Sequence, residues 1–331
     1  MRNGETFQVL VTGGAGYIGS VTAASLINEG HRVTVLDNLS TGHLNAVHPK
    51  ARFVLGDISD AKLVKKICSL EIHSVIHFAA FIEVGESVND PAKYYGNNFL
   101  KTVKFLDALM ESGVKHIVFS SSAAVYGEPE TIPLTENAPL HPVNPYGWTK
   151  RMVEQVLLDY SRAFRLRAVS LRYFNAGGAH LSFGEDHRPE SHLIPRILDA
   201  AIFSSPLTVF GDDYDTSDGS CIRDYIHVRD LAEAHIHAVR YLDNEGETDA
   251  FNLGTGCGYS VLKVIKTVEK ITGKSIKYEI SSRRPGDSPI LIASPEKAER
   301  VLGLRKEMAG LEEIVSSAYE WKRDHQHGYE K

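Results

Sequence analysis

The stretch QVLVTGGAGYIG, residues 8–19, decides the fold of this chain. Its first five residues are mostly apolar and β-branched, which suits a short buried parallel strand better than a core helix. Four glycines follow, and the mixed apolar and polar residues 17–29 predict a helix. Because glycine permits a tight turn and a helix N-terminus favours negative charge, this strand–turn–helix unit predicts a pyrophosphate-binding site.

An acidic residue at the right distance strengthens this interpretation. The glycines fit both G-x-G-x-x-G and G-x-x-G-x-x-G, and a second predicted strand, residues 32–36, ends at Asp37. An acid about 20 residues after the glycines is typical of a ribose-binding position in a dinucleotide fold. Asn38 follows without an adjacent Arg or Lys, so the sequence favours NAD over NADP. The alternative is a glycine turn that merely ends a strand, with Asp37 exposed.

Composition limits the classes of function. The chain has 331 residues, enough for a large core, and a formal net charge of −6, which argues against nucleic acid or a membrane surface as the main partner. No apolar run approaches the ~20 residues of a membrane span, and the N-terminus lacks a signal-peptide core. Cys68, Cys221 and Cys257 are odd in number and far apart, so we expect reduced thiols in a cytoplasmic protein.

Strands and helices alternate through the first half of the chain. Further strands are predicted at 52–55, 74–78, 116–119 and 168–174, and helices at 60–70, 91–112 and 145–164. This alternation predicts an α/β fold with a doubly wound parallel sheet of the Rossmann type.

The alternation ends near residue 179. Residues 180–195 are polar and turn-rich, and residues 211–223 are rich in Asp and Gly, which is typical of functional loops. A strand is predicted at 249–253 and helices at 260–272 and 311–321. We therefore expect a Rossmann domain from residues 1–180 and about 226–256. A smaller, interleaved C-terminal substrate-binding domain would take about 181–225 and 257–331.

Tyr146 and Lys150 carry the first sign of catalysis. Four residues apart near the start of a predicted helix, they share one helix face. A nearby ammonium favours the tyrosine phenolate, which can take the proton of a sugar hydroxyl. Ser122, at the end of the preceding strand, can hydrogen-bond the same hydroxyl. The alternative is that Tyr146 and Lys150 are ordinary surface residues, because Tyr-x-x-x-Lys is common by chance.

Together these features resemble the extended short-chain dehydrogenase/reductase family, and within it the UDP-hexose 4-epimerases. The most specific similarity is GDDYDTSDGSCIRDYIHVRDL, residues 211–231, with RYFN at 172–175 and Ala79-Ala80 after His77-Phe78. The resemblance covers about residues 9–328 without large gaps.

The resemblance implies NAD as cofactor and a UDP-sugar as substrate. The cofactor-binding residues that it implies are Gly13, Gly16, Tyr17, Ile18, Gly19, Asp37, Asn38, Asp57, Ile58, Phe78, Ala79, Ala80, Asn98, Ser120, Tyr146, Lys150 and Tyr173. The substrate-binding residues are Ser122, Tyr146, Asn175, His192, Leu193, Arg223, Arg284, Asp287 and Leu291. Arginine suits a diphosphate because its guanidinium donates two parallel hydrogen bonds, although Arg223 and Arg284 could equally form surface salt bridges.

Three positions depart from the family pattern. Ile82 stands where a lysine near the cofactor is frequent, and His192 where asparagine often faces the diphosphate. Leu291 replaces a tyrosine that often walls the sugar pocket. Because leucine is smaller, we expect room for an N-acetyl group, unless Leu291 only fills core and a neighbour closes the space.

The resemblance therefore implies an NAD-dependent 4-epimerase that interconverts UDP-glucose and UDP-galactose, and Leu291 extends this expectation to UDP-N-acetylglucosamine. A related dehydratase would carry an Asp-Glu pair where Ala123 and Ala124 stand, and an NAD-sensing regulator would tend to lack Tyr146 and Lys150. The helices beginning near residues 91 and 145 resemble those that pair across a dimer in this family, so we expect a homodimer.

No metal site is predicted from the histidine pattern. His235 and His237 fall on different faces of a helix, and His73 and His77 are too far apart along a strand to share one ion.

Overall fold

The computed structural model describes residues 6–284, 287–305 and 309–329. Its strands are β1 (Gln8–Thr12), β2 (Arg32–Asp37), β3 (Arg52–Leu55), β4 (Ser74–His77), β5 (His116–Ser122), β6 (Arg167–Tyr173), β7 (Asn175–Gly177), β8 (Thr208–Phe210), β9 (Ile222–His227), β10 (Asp249–Leu253), β11 (Gly258–Ser260), β12 (Glu279–Ser281) and β13 (Ile290–Leu291). Its α-helices are α1 (Tyr17–Asn28), α2 (Ala61–Cys68), α3 (Val84–Asn89), α4 (Pro91–Tyr94), α5 (Lys101–Glu111), α6 (Pro145–Phe164), α7 (Leu193–Phe203), α8 (Val228–Asp243), α9 (Val261–Thr272), α10 (Glu296–Leu302) and α11 (Leu311–Asp324).

A seven-stranded parallel sheet dominates the fold, in the order β10-β6-β5-β4-β1-β2-β3. The chain runs outward from β1 through β2 to β3, then returns to the other side of β1 to form β4. This reversal leaves a crevice beyond the carboxyl ends of β1 and β4, where ligands bind in doubly wound sheets. The predicted fold class is confirmed.

Both faces of this sheet are buried. Along β1, Val9 and Val11 pack into one core cluster with α1 and α8, and Leu10 points into a second cluster with α2 and α5. The alternation follows from the two-residue period of a strand. It explains why the strands of this sheet are apolar on both faces and could be predicted from short hydrophobic runs.

Two helices near the cleft begin with matched capping residues. At α6, the Asn144 side chain accepts a hydrogen bond from Gly147 N, and Pro145 occupies the first turn. At α4, Asp90 caps the helix in the same way. Helix α4 continues through a π-helical segment, Tyr95–Leu100, into α5, an irregularity that the sequence did not predict.

The rest of the chain forms a smaller layer on the carboxyl side of the main sheet. Strand β9 pairs with β7, β11 and β13, and β8 pairs with β12. Helices α7, α9 and α11 supply a separate apolar core. The predicted domain boundary at about residue 226 falls inside β9, and the predicted turn-rich stretch 180–195 runs into α7, which begins at Leu193.

Among the described helices, none combines the length and the apolar character that crossing a membrane requires.

Candidate active site

The glycine turn between β1 and α1 is fixed by close packing. Gly13 has a φ of +72°, and a Cβ atom there would lie 2.7 Å from Ala79 N. A Cβ at Gly19 would lie 2.2 Å from Gly13 O. Neither position has room for a side chain, so the turn brings its backbone N–H groups and the N-terminus of α1, capped by Gly16, to the crevice.

Asp37, the last residue of β2, lies beside this turn. Its Oδ2 accepts a hydrogen bond from Ala15 N at 3.0 Å, and its Oδ1 accepts one from Leu39 N at 2.8 Å. Burial raises the pKa of the Asp37 carboxyl, and these two N–H donors act against that rise. The residues that line the crevice next to it, Asn38 to Gly42, carry no positive side chain.

Asp57, after β3, forms the outer edge of the same region. Its Oδ2 accepts hydrogen bonds from Asn38 Nδ2 at 3.1 Å and from Lys101 Nζ at 2.7 Å. Burial would raise the pKa of Asp57, but hydrogen bonds from Lys101 and Ser59 lower it to about 2. Asp57 is therefore ionised at neutral pH.

A cavity of about 600 Å³ runs from this region across the sheet edge to the smaller layer. The predicted site residues that line it are Gly13, Gly16, Tyr17, Ile18, Gly19, Asp37, Asn38, Asp57, Ile58, Phe78, Ala79, Ala80, Ser120, Ser122, Tyr146, Lys150, Tyr173, Asn175, His192 and Leu193.

Ser122, Tyr146 and Lys150 meet in the middle of the cavity. Ser122 ends β5, and the other two lie in the first turns of α6, so the strand end and the helix start face each other. The Ser122 side chain hydrogen-bonds the Tyr146 hydroxyl. Lys150 Nζ donates to Ser120 O at 2.7 Å and lies 5.7 Å from the centre of the Tyr146 ring.

The sequence predicts that the Lys150 ammonium favours the Tyr146 phenolate, but burial in the structure opposes both charges. Burial raises the pKa of Tyr146, although the hydrogen bond from Ser122 lowers it. Burial also lowers the pKa of Lys150 to about 7, against the opposing effect of Glu154. Burial therefore disfavours both charged forms, the Tyr146 phenolate and the Lys150 ammonium.

Tyr173 and Phe78 contribute aromatic rings to the cavity lining. The Tyr173 hydroxyl contacts Ser120 Oγ, and burial raises the pKa of Tyr173 well above its ordinary value. Both rings pack against the buried His235, with ring centres 5.9 Å and 4.6 Å away respectively.

Asn98 does not line the cavity but hydrogen-bonds a segment that does. It is buried, its Nδ2 donates to Phe81 O at 2.8 Å, and its Oδ1 accepts from Phe81 N at 2.8 Å. The predicted cofactor residue therefore holds the backbone of the segment after β4, whose members Phe81 and Ile82 line the cavity.

Four predicted substrate residues lie together beyond the cavity wall. Arg223 Nη2 donates to Asp287 Oδ1 at 3.3 Å, and its Nη1 donates to Ser288 O at 2.8 Å. The Arg284 guanidinium lies 4.0 Å from the centre of the Phe210 ring, and Leu291 pairs with Arg223 in the β13–β9 register. Arg223 is two residues from the cavity-lining Tyr225, so both share one face of β9.

Leu291 packs in a small apolar cluster instead of lining the cavity. Its neighbours in that cluster include Val125, Tyr126, Leu134 and Phe174. Phe174, which packs against the same cluster, does line the cavity, whereas Leu291 does not.

Several lining residues were not singled out from the sequence. They come from the segment after β4 and from the segment before α7, and include Glu83, Lys93, Glu185, His187 and Arg188. The alternating charged and histidine residues from 185 to 192 were the available signal.

A dinucleotide-binding glycine turn and a Tyr-x-x-x-Lys pair that line the same cavity define a nicotinamide-dependent protein of the Rossmann class. Residues 9–254 match the model of the NAD dependent epimerase/dehydratase family, and the chain belongs to this family. This membership confirms the predicted family and the prediction of NAD as cofactor.

Individual proteins of the family are similar over nearly the whole chain. The UDP-glucose 4-epimerase of Lactobacillus helveticus is 48% identical over 327 residues, which cover 98% of this chain and 99% of the relative. The structure of UDP-glucose 4-epimerase from Brucella ovis in complex with NAD is 47% identical, with a TM-score of 0.92, and covers 95% of this chain and 98% of its own. The UDP-Glc/GlcNAc 4-epimerase of Campylobacter jejuni is 40% identical, with a TM-score of 0.84 over 96% and 99% of the two chains.

Proposed function

We propose that this protein is an NAD-dependent UDP-glucose 4-epimerase that interconverts UDP-glucose and UDP-galactose. The observation that carries the proposal is one continuous cavity. It begins at the glycine turn and Asp37, passes Ser122, Tyr146 and Lys150, and ends at Asn175 and His192. Relatives named UDP-glucose 4-epimerase match this chain from end to end.

The residues at the glycine turn fit a dinucleotide. Gly13 and Gly19 leave no side chain between the turn and the crevice, so a pyrophosphate can approach the backbone and the start of α1. Asp37 offers its remaining carboxylate lone pairs to ribose hydroxyls and places no cation where a 2′-phosphate would lie.

Tyr146 is the proposed acid/base. The glycine turn and Asp37 would hold NAD, which would supply a reversible hydride acceptor for the C4 carbon of the sugar. Tyr146 takes the C4 hydroxyl proton in the oxidation and gives it back in the reduction, while Ser122 holds the same oxygen. Because burial raises the pKa of Tyr146, the phenolate needs a further positive charge beside Lys150, and an oxidised nicotinamide would supply it.

The region around Arg223 is proposed to hold the uridine diphosphate. Arg223, Arg284 and Asp287 lie together next to Tyr225, so one end of the substrate can be anchored while the sugar turns beside Tyr146. This division gives most binding contacts to the nucleotide, which both epimers share. The smaller layer, about residues 181–225 and 257–331, would then be the substrate-binding domain.

Dehydration is the main alternative chemistry. Elimination needs an extra acid and base beside the 4-keto sugar, but Ala123 and Ala124 follow Ser122 in a short turn at the end of β5. Neither side chain can transfer a proton, which favours epimerisation. A regulator without catalysis is disfavoured because Ser122, Tyr146 and Lys150 are all present and lie together.

Activity on N-acetylated UDP-sugars is a second proposal. The similar protein from Campylobacter jejuni is described as a UDP-Glc/GlcNAc 4-epimerase. In this chain Leu291 and the cavity-lining Phe174 pack against the same apolar cluster, so position 291 carries no hydroxyl there. Because leucine fills less of this cluster than tyrosine would, the Phe174 ring would have more room to move back from an N-acetyl group.

A homodimer is proposed from the outer helices. Leu100, Trp148 and Phe164 are large apolar side chains with exposed fractions of 56%, 44% and 57%, and they lie in or next to α5 and α6. A face of this kind is typical of a subunit contact. A molar mass of one chain by light scattering would reject it. The three free cysteines agree with the proposed cytoplasmic location.

The experiment that tests the proposed function needs no added cofactor. Purified protein given UDP-galactose should form UDP-glucose, because each turnover regenerates the bound NAD. After the nucleotide is stripped, activity should return with NAD far more than with NADP, since Asp37 would repel a 2′-phosphate. No turnover in either state would reject the function. Equal recovery with both nucleotides would reject only the role of Asp37.

A further inference from the structure

Four potential metal ligands meet in the segment between β7 and α7. They are Glu185, His187, Glu190 and His192, and their nearest ligand atoms all lie within 4.8 Å of one another. All four residues are half-buried, and Glu185, His187 and His192 line the cavity. The pattern E-x-H-x-x-E-x-H brings the four residues together within eight positions of the chain.

The distances among these atoms match a tetrahedral ligand set. Nδ1 of His192 lies 3.0 Å from Glu185 Oε1 and 3.0 Å from Glu190 Oε1. Nδ1 of His187 lies 3.2 Å from Glu185 Oε1 and 3.8 Å from Glu190 Oε2. Ligands about 2.0–2.2 Å from a tetrahedral zinc ion lie about 3.3–3.5 Å from one another, close to the separations seen here.

One donor of the group lacks a hydrogen bond. His187 Nδ1 is buried and, despite its 3.2 Å separation from Glu185 Oε1, makes no hydrogen bond of acceptable geometry. Glu190 is held in place by its own backbone, because Oε1 accepts from Ser191 N at 2.9 Å and His192 N at 2.8 Å. His192 Nδ1, in contrast, is hydrogen-bonded to Glu190 Oε1 at 3.0 Å, so within this cluster the unpaired ligand atom is His187 Nδ1.

We propose that Glu185, His187, Glu190 and His192 bind a zinc-class divalent cation. Two imidazoles and two carboxylates are ligands that zinc accepts, and the two negative charges balance the ion. Four protein ligands fill a tetrahedron, so the site is structural and leaves no position for substrate. The proposal is independent of which UDP-sugar the enzyme uses.

The ion would lock the segment that covers one end of the cavity. Ser191 Oγ already donates to Glu83 Oε2 at 2.6 Å across the cavity mouth, and Asp186 accepts from Tyr329 N at 2.9 Å on the other side. With its Nδ1 on the metal, His192 would keep its proton on Nε2, so that nitrogen alone could donate a hydrogen bond to a diphosphate.

A competing explanation needs no metal. A protonated His192 could pair with both carboxylates, because Glu185 and Glu190 raise its pKa although burial would lower it. The two explanations differ in what happens when zinc is offered, because only a metal site gains order from the ion.

The test uses tag-free, full-length protein stripped with chelator and then offered Zn²⁺, Co²⁺ or Mg²⁺. After gel filtration in metal-free buffer the protein should keep about one equivalent of zinc. The Tm should rise with Zn²⁺ and not with Mg²⁺, which binds imidazole poorly. Co²⁺ should give the intense visible bands of a four-coordinate ion.

The double variant His187→Asn/Glu190→Gln should lose the retained zinc and the Tm response. The matched control, His141→Asn/Glu247→Gln, makes the same chemical changes at exposed residues and should keep both. If the double variant does not fold, Glu190→Gln alone and the Co²⁺ spectrum of the unsubstituted protein decide the question. No zinc retained, no Co²⁺ bands, or equal zinc on the double variant and the unsubstituted protein would overturn the proposal.

Discussion

The cofactor end and the substrate end of the cavity are built in different ways. The cofactor end comes from neighbouring strand–helix units, so Gly13, Gly19 and Asp37 lie within 25 residues of one another. The substrate end joins distant segments, as in the pair between Arg223 and Asp287, 64 residues apart. Local units are specified by local sequence, whereas the second arrangement exists only after the chain has folded.

The largest effect is expected where the two ends meet. Tyr146→Phe removes the proposed acid/base and leaves the ring packing, so turnover should fall about 10²–10⁴-fold. Bound NAD should stay, because the glycine turn is untouched. Steady-state rates measure the loss of turnover, and the nucleotide content of the purified variant measures the retained NAD. A variant with near-normal turnover would show that Tyr146 is not the base.

Adding a single methyl group at the glycine turn should abolish NAD retention at the cofactor end. Gly19→Ala places a Cβ 2.2 Å from Gly13 O, so we expect lost NAD retention and a stability loss of about 1–3 kcal/mol. Gly310→Ala is the matched control, because a Cβ there meets nothing within 4 Å. Urea unfolding and released nucleotide would be compared, and normal NAD retention in Gly19→Ala would contradict the packing argument.

The charge on Lys150 gives a pH-dependent effect at the junction. Burial lowers its pKa to about 7, so between about pH 7 and its ordinary value of 10.5 the unfolded chain binds a proton that the folded protein does not. Stability therefore rises with pH through this window. Lys150→Met should stabilise cofactor-free protein by about 1–2 kcal/mol at pH 6, and the gain should shrink as the pH rises.

The control for this effect is an exposed lysine. Lys62→Met, on α2, should change stability little and without the same pH trend. Denaturant unfolding at a series of pH values measures both variants. A Lys150→Met advantage that is constant or grows with pH would mean that the ammonium is well solvated or fully paired in the folded protein.

The smallest expected effect concerns the substrate end. Leu291→Tyr would place a larger ring in the apolar cluster that Phe174 also packs against, so activity on UDP-N-acetylglucosamine should fall several-fold more than activity on UDP-glucose. Both substrate pairs would be assayed on each protein. Absence of N-acetyl activity in the unsubstituted enzyme would reject the proposed range, and an equal fall for both pairs would reject the gate.

What could be predicted from sequence follows the same division. The strand at residues 8–12, the helix at 145–164 and the strand at 249–253 match the structure in their bounds, because each is defined by a local apolar pattern and clear end signals. The position of Asp37 beside the glycine turn follows from the same βαβ unit.

The substrate end could not be predicted to the same depth. Nothing local indicates that Leu291 shares an apolar cluster with Phe174 or that Arg223 pairs with Asp287, because these arrangements depend on segments far apart in the chain. Likewise, nothing local indicates that Asn98 hydrogen-bonds the backbone of Phe81, and its role at the cofactor stays a prediction. At the substrate end, the family resemblance indicated which residues to expect, and only the structure shows which residues they contact.

The most direct test of the account follows the hydrogen on C4. UDP-galactose labelled with deuterium at C4 should give UDP-glucose that keeps the label at C4, because the hydrogen leaves as a hydride and returns inside the closed cavity while Tyr146 moves only the hydroxyl proton. Mass spectrometry or NMR of the product reads the label. Loss of deuterium to water, or hydrogen gained from solvent at C4, would contradict the account.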